Sequence, residues 1–424
     1  MANSERHAYS VKRQFVWASI GRIAAALIQA VTVVVLARHA APKEFGIFAA
    51  AYGAVIVAQA LIDMGLSTLT IKERSRSRNS PIVWNALRLN GRITLIAVLS
   101  GVTLCIVLAI STGTPSLIFI PYVIWAVAER NGDAWLTISF ADGDANINMT
   151  NLILRRLMTL AGLMLLIAFG TAPVVAFGLA AATASVCSLV FARLYIRRRI
   201  LPTAAVPTRA ILRLSFPFWF NSVAGQLRNL DALIVGAVAG TTHAGLYGAG
   251  ARITGPLRLL PDALAAALLP AASRDSFRVS PKLIRQMALF ALLATVIGLG
   301  GVMIAPLVVH HLLGTAYAGA ELVIQLAIVG LPFASLVALL AAILQGIGKQ
   351  SFVAGIAFAA TVTCLCAVAI GALLGAAVGA MIGYCVSTVL HAAVLSVKVN
   401  AVARDAREPV AGHHSSTARR GSAS

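Results

Sequence analysis

Ten charged residues lie inside otherwise apolar runs: Arg22, Asp63, Glu129, Arg130, Asp133, Arg228, Asp231, Arg252, Arg258 and Asp262. In lipid each such charge costs about 2.5–3.5 kcal/mol on insertion scales, so it must face a partner or a wet interior. Their spacing is helical. Glu129 and Asp133 are four apart, and Arg130 lies three before Asp133. Arg228 and Asp231 are three apart, Arg258 and Asp262 four. Residues so spaced are neighbours on a helix surface. Arg22 shares a face with Gln29, two turns on, and its segment offers no acid.

Two chemistries are open to this set. In one, guanidinium groups line a polar cavity and hold a phosphate or diphosphate through paired N–H donors. In the other, the five arginines and five acids neutralise one another, and those near helix ends reach toward water. Arg22, Arg130 and Arg228 lean to the first, with Arg252, Glu129, Asp133 and Asp231 in the same candidate binding set. Asp63, Arg258 and Asp262 lean to structural or coupling roles.

Other motifs carry less. Asp142-Gly143-Asp144 resembles an acid pair that holds a metal–nucleotide, but its short loop reads as a turn. Gly346-Ile347-Gly348-Lys349 lacks the first glycine of a phosphate loop, and Gln350 stands where Ser or Thr belongs. Asn148-Met149-Thr150 matches a glycosylation sequon on what reads as the inner side. Gly371, Gly375, Gly379 and Gly383 recur every four residues, the pattern of a close helix-packing face. Pro217, Pro256, Pro261 and Pro270 flank or interrupt two spans as bends or tolerated kinks. The five cysteines all fall in apolar runs and give neither a metal site nor a disulfide framework. No metal and no cofactor is expected.

The elements that position these residues follow from composition. Of 424 residues, 59% are hydrophobic and only 11% charged, against about 25% charged in soluble domains. The solvent for most of this chain is lipid. A net charge of +20 could suggest a nucleic-acid partner. The basic residues, however, cluster in short gaps between apolar runs, so no nucleic acid is expected. The first apolar run, from Phe15 to about Leu36, exceeds a signal-peptide core of about 7–15 residues and reads as an uncleaved span.

Spans of roughly 20 residues are predicted at 15–36, 45–70, 93–111, 116–140, 154–171, 173–194, 214–239, 245–272, 286–309, 321–346, 351–371 and 374–397. With the N-terminus inside, 27 of the 34 Lys and Arg fall on the inner side and 2 on the outer. That asymmetry orients the chain, with both termini cytoplasmic. Residues 1–200 and 214–398 are expected as two lobes of six spans, joined by a cytoplasmic linker at 201–213. Residues 399–424 read as a disordered cytoplasmic tail.

A shift of about 199 residues aligns the halves. Phe45-Gly46-Ile47-Phe48 falls on Ala244-Gly245-Leu246-Tyr247, and Asp63 on Asp262. An even number of spans per half implies parallel repeats about an axis along the membrane normal, with a cavity between them.

Ala37-Arg38-His39-Ala40-Ala41-Pro42-Lys43-Glu44-Phe45-Gly46, followed by Leu61-Ile62-Asp63-Met64-Gly65-Leu66, resembles the opening of the polysaccharide transporter family, the Wzx-type flippases of the MOP superfamily. Asp231 to Gly236, Ala244 to Tyr247 with Ala251-Arg252, Leu269-Pro270, Leu313-Gly314 with Tyr317, and Gln345 to Lys349 continue the likeness in order. The resemblance implies an all-α, MATE-like fold in the bacterial inner membrane. It also implies export of undecaprenyl-diphosphate-linked oligosaccharide, by alternating access, from the cytoplasmic to the periplasmic leaflet. Membrane lipids and polysaccharide polymerase machinery are the partners expected with it. Many relatives have fourteen spans; twelve are read here. The alternatives are a drug or cation antiporter, which the acid-free first span disfavours, and a peptidoglycan-precursor flippase. A membrane enzyme would need a large loop or extra domain that the spans leave no room for.

Overall fold

The computed structural model describes residues 2–258, 296 and 298–405. Among them there is no strand. The chain is an all-α, multi-pass membrane protein. Its helices are α1 (Ala2–His39), α2 (Pro42–Asp63), α3 (Leu66–Arg76), α4 (Pro81–Thr112), α5 (Ile120–Ala141), α6 (Ala145–Ala168) and α7 (Pro173–Arg197). Then follow α8 (Thr208–Gln226), α9 (Asp231–Ala239), α10 (Thr241–Ile253), α11 (Gly298–Leu313), α12 (Glu321–Gly346) and α13 (Gln350–Asp405). Seven of the described helices are long and apolar enough to cross a membrane.

Local sequence sets the boundaries. Pro42, Pro81 and Pro173 stand in the first turns of α2, α4 and α7, where a missing N–H costs nothing and φ is already helical. Gly113 and Gly170 end α4 and the turn after α6 in the left-handed region, the usual helix stop. The gap expected between the fifth and sixth spans, residues 170–173, is thus a helix break. The eleventh and twelfth spans are one element, α13, interrupted at Gly375 and at Ala376, whose φ is 49°. Its two limbs fold back on each other through the four-residue glycine repeat. A Cβ on Gly371 would fall 2.1 Å from the Gly379 carbonyl oxygen, and one on Gly379 would fall 2.1 Å from that of Gly371.

Several boundaries differ from expectation: α4 and α6 begin earlier than the third and fifth spans, and α10 ends at Ile253 within the eighth. The second span stops at Asp63 instead of running to 70, because Met64 (φ 48°) and Gly65 (φ 71°) both turn left-handed and start α3 in a new direction. The seventh span is broken by a 3-10 turn, Leu227–Leu230, between α8 and α9. α13 stays helical through Asp405, so 399–405 is not part of a disordered tail. Expectations for Asp262, Pro261, Leu269-Pro270 and residues 406–424 lie outside the described residues, as does the side chain of Arg258.

The 199-residue offset reappears as a physical contact. The N-terminal turns of α2 and α10 cross backbone to backbone. A Cβ on Gly46 would lie 1.8 Å from the Thr241 oxygen, and one on Gly245 would lie 1.9 Å from the Pro42 oxygen. Pro42 and Thr241 are themselves 199 apart, as are Gly46 and Gly245. One turn further, a Cβ on Gly248 would meet the Ala49 Cβ at 2.7 Å, and this pair also differs by 199. Residue i touching j′ while j touches i′ is the signature of a local two-fold axis. Both helices start on the same side, so the axis runs along the membrane normal. Beneath the crossing sits an aromatic core: Phe48 and Trp125 pack edge-on to Phe177, at 4.8 and 5.5 Å between ring centroids, and Tyr52 leans on Trp125 at 5.4 Å. Such pairs contribute about 0.5–1.5 kcal/mol each beyond area burial.

Candidate functional site: a cationic cavity between the halves

A cavity of about 330 Å³ lies under the α2–α10 crossing, lined by α1, α2, α9, α10, α12, α13 and the turn between α8 and α9. Helix-breaking at 227–230 places its key side chains. In the 3-10 turn, Arg228 projects into the cavity with its guanidinium over the Tyr384 ring, 5.4 Å from the centroid. Asp231 opens α9 and is already engaged: its carboxylate accepts from its neighbour's Ala232 N–H at 2.7 Å and from the Tyr247 hydroxyl at 3.0 Å. Arg252 comes from α10 and reaches across the two-fold to donate to the Ala49 carbonyl at 2.6 Å. Its guanidinium stacks on Tyr52 at 4.3 Å. Gly53, the counterpart of Arg252 in the first half, leaves the space that lets the Asn229 carbonyl approach; a Cβ there would fall 2.0 Å from it.

Several donors in this cavity are uncommitted. Arg228 forms no ion pair among the described residues. The Arg252 Nε and both amide atoms of Gln29 are buried without a hydrogen-bond partner. Orphaned buried donors are rare and call for an explanation. Among the described residues the cavity sets two guanidinium groups against one carboxylate, an excess of positive charge. It can hold an anion by bidentate hydrogen bonds, and Tyr52, Tyr247 and Tyr384 add flat apolar surface with polar edges.

The candidate residues divide cleanly. Arg228, Asp231 and Arg252 are brought together in the cavity. Arg130 is not there: it pairs with Asp63, its Nε 2.9 Å from a carboxylate oxygen, and donates to the Ser67 hydroxyl at 2.7 Å. Glu129 is buried among Arg155 (3.2 Å), Arg156 (3.1 Å) and the Trp125 indole N–H. Asp133 accepts from Arg155 at 2.9 Å. Arg22 is exposed on α1 and is not among the residues lining the cavity, whereas Gln29, two turns along the same face, is. Sequence reading missed Arg155 and Arg156, placed near a helix end, and the three tyrosines, which look like ordinary span residues until the cavity gives them a common centre.

The turn at Asp142-Gly143-Asp144 is a clamp rather than a metal site. Asp142 receives a forked pair from Arg74 at 2.7 and 3.0 Å. Asp144 accepts from Arg199 at 2.6 Å. These bonds tie α3, the α5–α6 turn and the end of α7 together on the side carrying the basic loops.

Comparison with known proteins follows the same lines. The family model described as "Polysaccharide biosynthesis protein" matches residues 11–276. No curated protein sequence matches the chain. Among solved structures, an inward-facing multidrug resistance MATE family transporter of the MOP superfamily superposes with a TM-score of 0.69 at 17% identity, covering 90% of this chain and 96% of that one. The lipid II flippase MurJ, inward closed, gives 0.68 at 13% identity over 91% and 87%. A MOP superfamily transporter from Pyrococcus furiosus, described as having reversed polarity of its binding pocket, gives 0.63 at 16% identity over 92% and 96%. At these identities the structures speak to the fold, which is that of the MOP transporters. With a family model covering more than half of its length, the chain belongs to the polysaccharide biosynthesis protein family of membrane proteins.

Proposed function

We propose that the chain is a flippase for undecaprenyl-diphosphate-linked oligosaccharide, carrying it from the cytoplasmic to the periplasmic leaflet of the bacterial inner membrane by alternating access. The observation that carries this reading is the pair Arg228 and Arg252 facing one cavity, with the nearby carboxylate of Asp231 already bonded to Tyr247. A cation antiporter needs free acids at its centre; among the described residues this cavity presents two arginines outside any ion pair. The diphosphate is held by Arg228 and Arg252, and the first sugars lie against the tyrosines. Asp63, Glu129, Arg130 and Asp133 act by holding the first six-span lobe rigid. Arg22 is assigned to the entry side of α1, ahead of Gln29.

The same reading takes residues 1–200 and 214–398 as the two lobes that rock about the α2–α10 crossing, with both termini cytoplasmic. Reporter fusions after 113, 242 and 314 should then read periplasmic, and fusions after 80 and 205 cytoplasmic.

The direct test is a proteoliposome assay of accessibility for a fluorescent polyprenyl-diphosphate sugar. Wild type should equilibrate the lipid between leaflets, and Arg228→Ala with Arg252→Ala should not. Equal movement of a polyprenyl-diphosphate peptidoglycan precursor would shift the assignment to that substrate. Movement of organic cations without movement of the lipid would overturn the reading.

A further inference from the structure

A second cavity, of about 340 Å³ and almost wholly apolar, opens between α6 and α7 away from the central one. Its α6 wall is a row at four-residue spacing: Asn146, Thr150, Leu154 and Met158. Its α7 wall includes Cys187 and Phe191. All six are exposed, so the groove faces outward. Polarity is graded along it. α6 and α7 run antiparallel, with Ser188 bonded to Asn151, so Asn146, Thr150 and Phe191 sit toward the mouth, near the basic loops, and Leu154, Met158 and Cys187 lie deeper. From Asn146 to Met158 is about 18 Å of helix, close to one leaflet, half of a hydrocarbon core about 30 Å thick.

Charge at the mouth gives the headgroup. Arg198 is exposed just past the end of α7, seven residues beyond Phe191 and so about two helical turns on. The acids of the nearby turn are taken, Asp144 by Arg199 and Asp142 by Arg74. At the groove's base, Arg155 is 97% buried and its Nε has no hydrogen-bond partner, although its other nitrogens hold Asp133 and Glu129. We propose that this groove binds one anionic phospholipid of the leaflet on the basic side, its phosphate at Arg198 and one acyl chain along Leu154, Met158 and Phe191. The site is separate from the transport cavity and does not depend on what that cavity carries. An occupant here packs against the helix that presents Arg155 to Glu129 and Asp133, and so supports the buried charge network from the lipid side.

Native mass spectrometry of the full chain in detergent, with equimolar phosphatidylglycerol and phosphatidylcholine of matched chains, tests this. Wild type should retain phosphatidylglycerol about fivefold over phosphatidylcholine, the value of one arginine near an anionic surface. Arg198→Ala should bring that ratio near one. Cys187→Trp and Leu154→Trp, which fill the groove from exposed positions, should lower retention of both lipids while the lipid-free melting midpoint stays at the wild-type value. Equal retention of the two lipids by wild type, an unchanged ratio in Arg198→Ala, or unchanged retention in both tryptophan variants would overturn the proposal. So would a wild-type preference for undecaprenyl phosphate over phosphatidylglycerol, which would mark the groove as a substrate path.

Discussion

The two halves of the chain both carry charge inside the membrane, and they use it in opposite ways. In the first half, Asp63, Glu129 and Asp133 meet Arg130, Arg155 and Arg156, three against three, with short bonds, and Asp63, Glu129 and Arg155 are buried. Each of these six side chains is committed to an ion pair. In the second half, Arg228 and Arg252 face a cavity in which Asp231 is the one acid among the described residues, and Asp231 is occupied by Tyr247. The first arrangement minimises unpaired charge, which is what a rigid wall needs. The second leaves charge unpaired at the cost of stability, which is worthwhile only where a counter-ion arrives from outside. Equal counts of acid and base in a sequence therefore say nothing about where the working charges lie; the pairing does.

The largest effect expected is at Arg155. Arg155→Leu would leave Glu129 and Asp133 short of their partner, and breaking a buried pair costs about 3–5 kcal/mol. The folded protein recovered from membranes should fall sharply, as read by fluorescence-detected gel filtration. Normal recovery would erase the distinction between the halves. Next is the cavity. Arg228→Ala and Arg252→Ala should each leave protein levels near wild type and reduce polysaccharide export in a complementation strain about tenfold or more, since a charged hydrogen bond is worth about 1.5–3 kcal/mol. Lysine at either position should restore part of the loss, because charge returns but the bidentate fork does not.

The crossing comes third. Gly245→Ala forces a methyl into the Pro42 carbonyl, and overpacking of this kind costs about 1–3 kcal/mol. Distances between spin labels on α2 and α10 should lengthen, with the population shifting toward the state open on that side. An unchanged distribution would mean the crossing does not gate. The smallest effect belongs to Arg22. Exposed on α1 and outside the cavity lining, it should lose less than about threefold in export when changed to Ala, a difference below about 1 kcal/mol. A loss as large as that of Arg228→Ala would extend the cationic site two turns along α1.

Much of the architecture was legible. Lipid as solvent, the helix breaks at Gly170–Pro173 and near Gly375, the glycine face of α13 and the 199-residue repeat are all local or periodic signals, and periodic signals survive without knowledge of the fold. The side chains of the site were less so. The spacing of Arg228 and Asp231 suggested a pair on one helix turn, but the chain passes through a 3-10 turn there. A 3-10 turn eclipses residues three apart, so both side chains line the same cavity; within it Arg228 lies over Tyr384 and Asp231 bonds Tyr247, partners that only the tertiary structure supplies.

By itself, then, the sequence determined that this is a polytopic membrane protein built from a duplicated six-helix plan, and that a handful of charges had to be sheltered from lipid. Hydropathy, charge asymmetry and helix-stop residues are properties of short stretches, and lipid enforces them stretch by stretch. Which charges shelter one another and which remain free was decided only by the tertiary structure. Asp63 finds Arg130 across 67 residues, Arg74 finds Asp142 across 68, and Arg252 finds the Ala49 carbonyl across 203. Those partners come from separate helices, and their meeting depends on how each helix is rotated about its axis and how far it is shifted along the membrane normal. Packing sets both: the glycine crossings and the aromatic core below them choose the rotations, and the free arginines of the cavity are what those rotations leave unpaired.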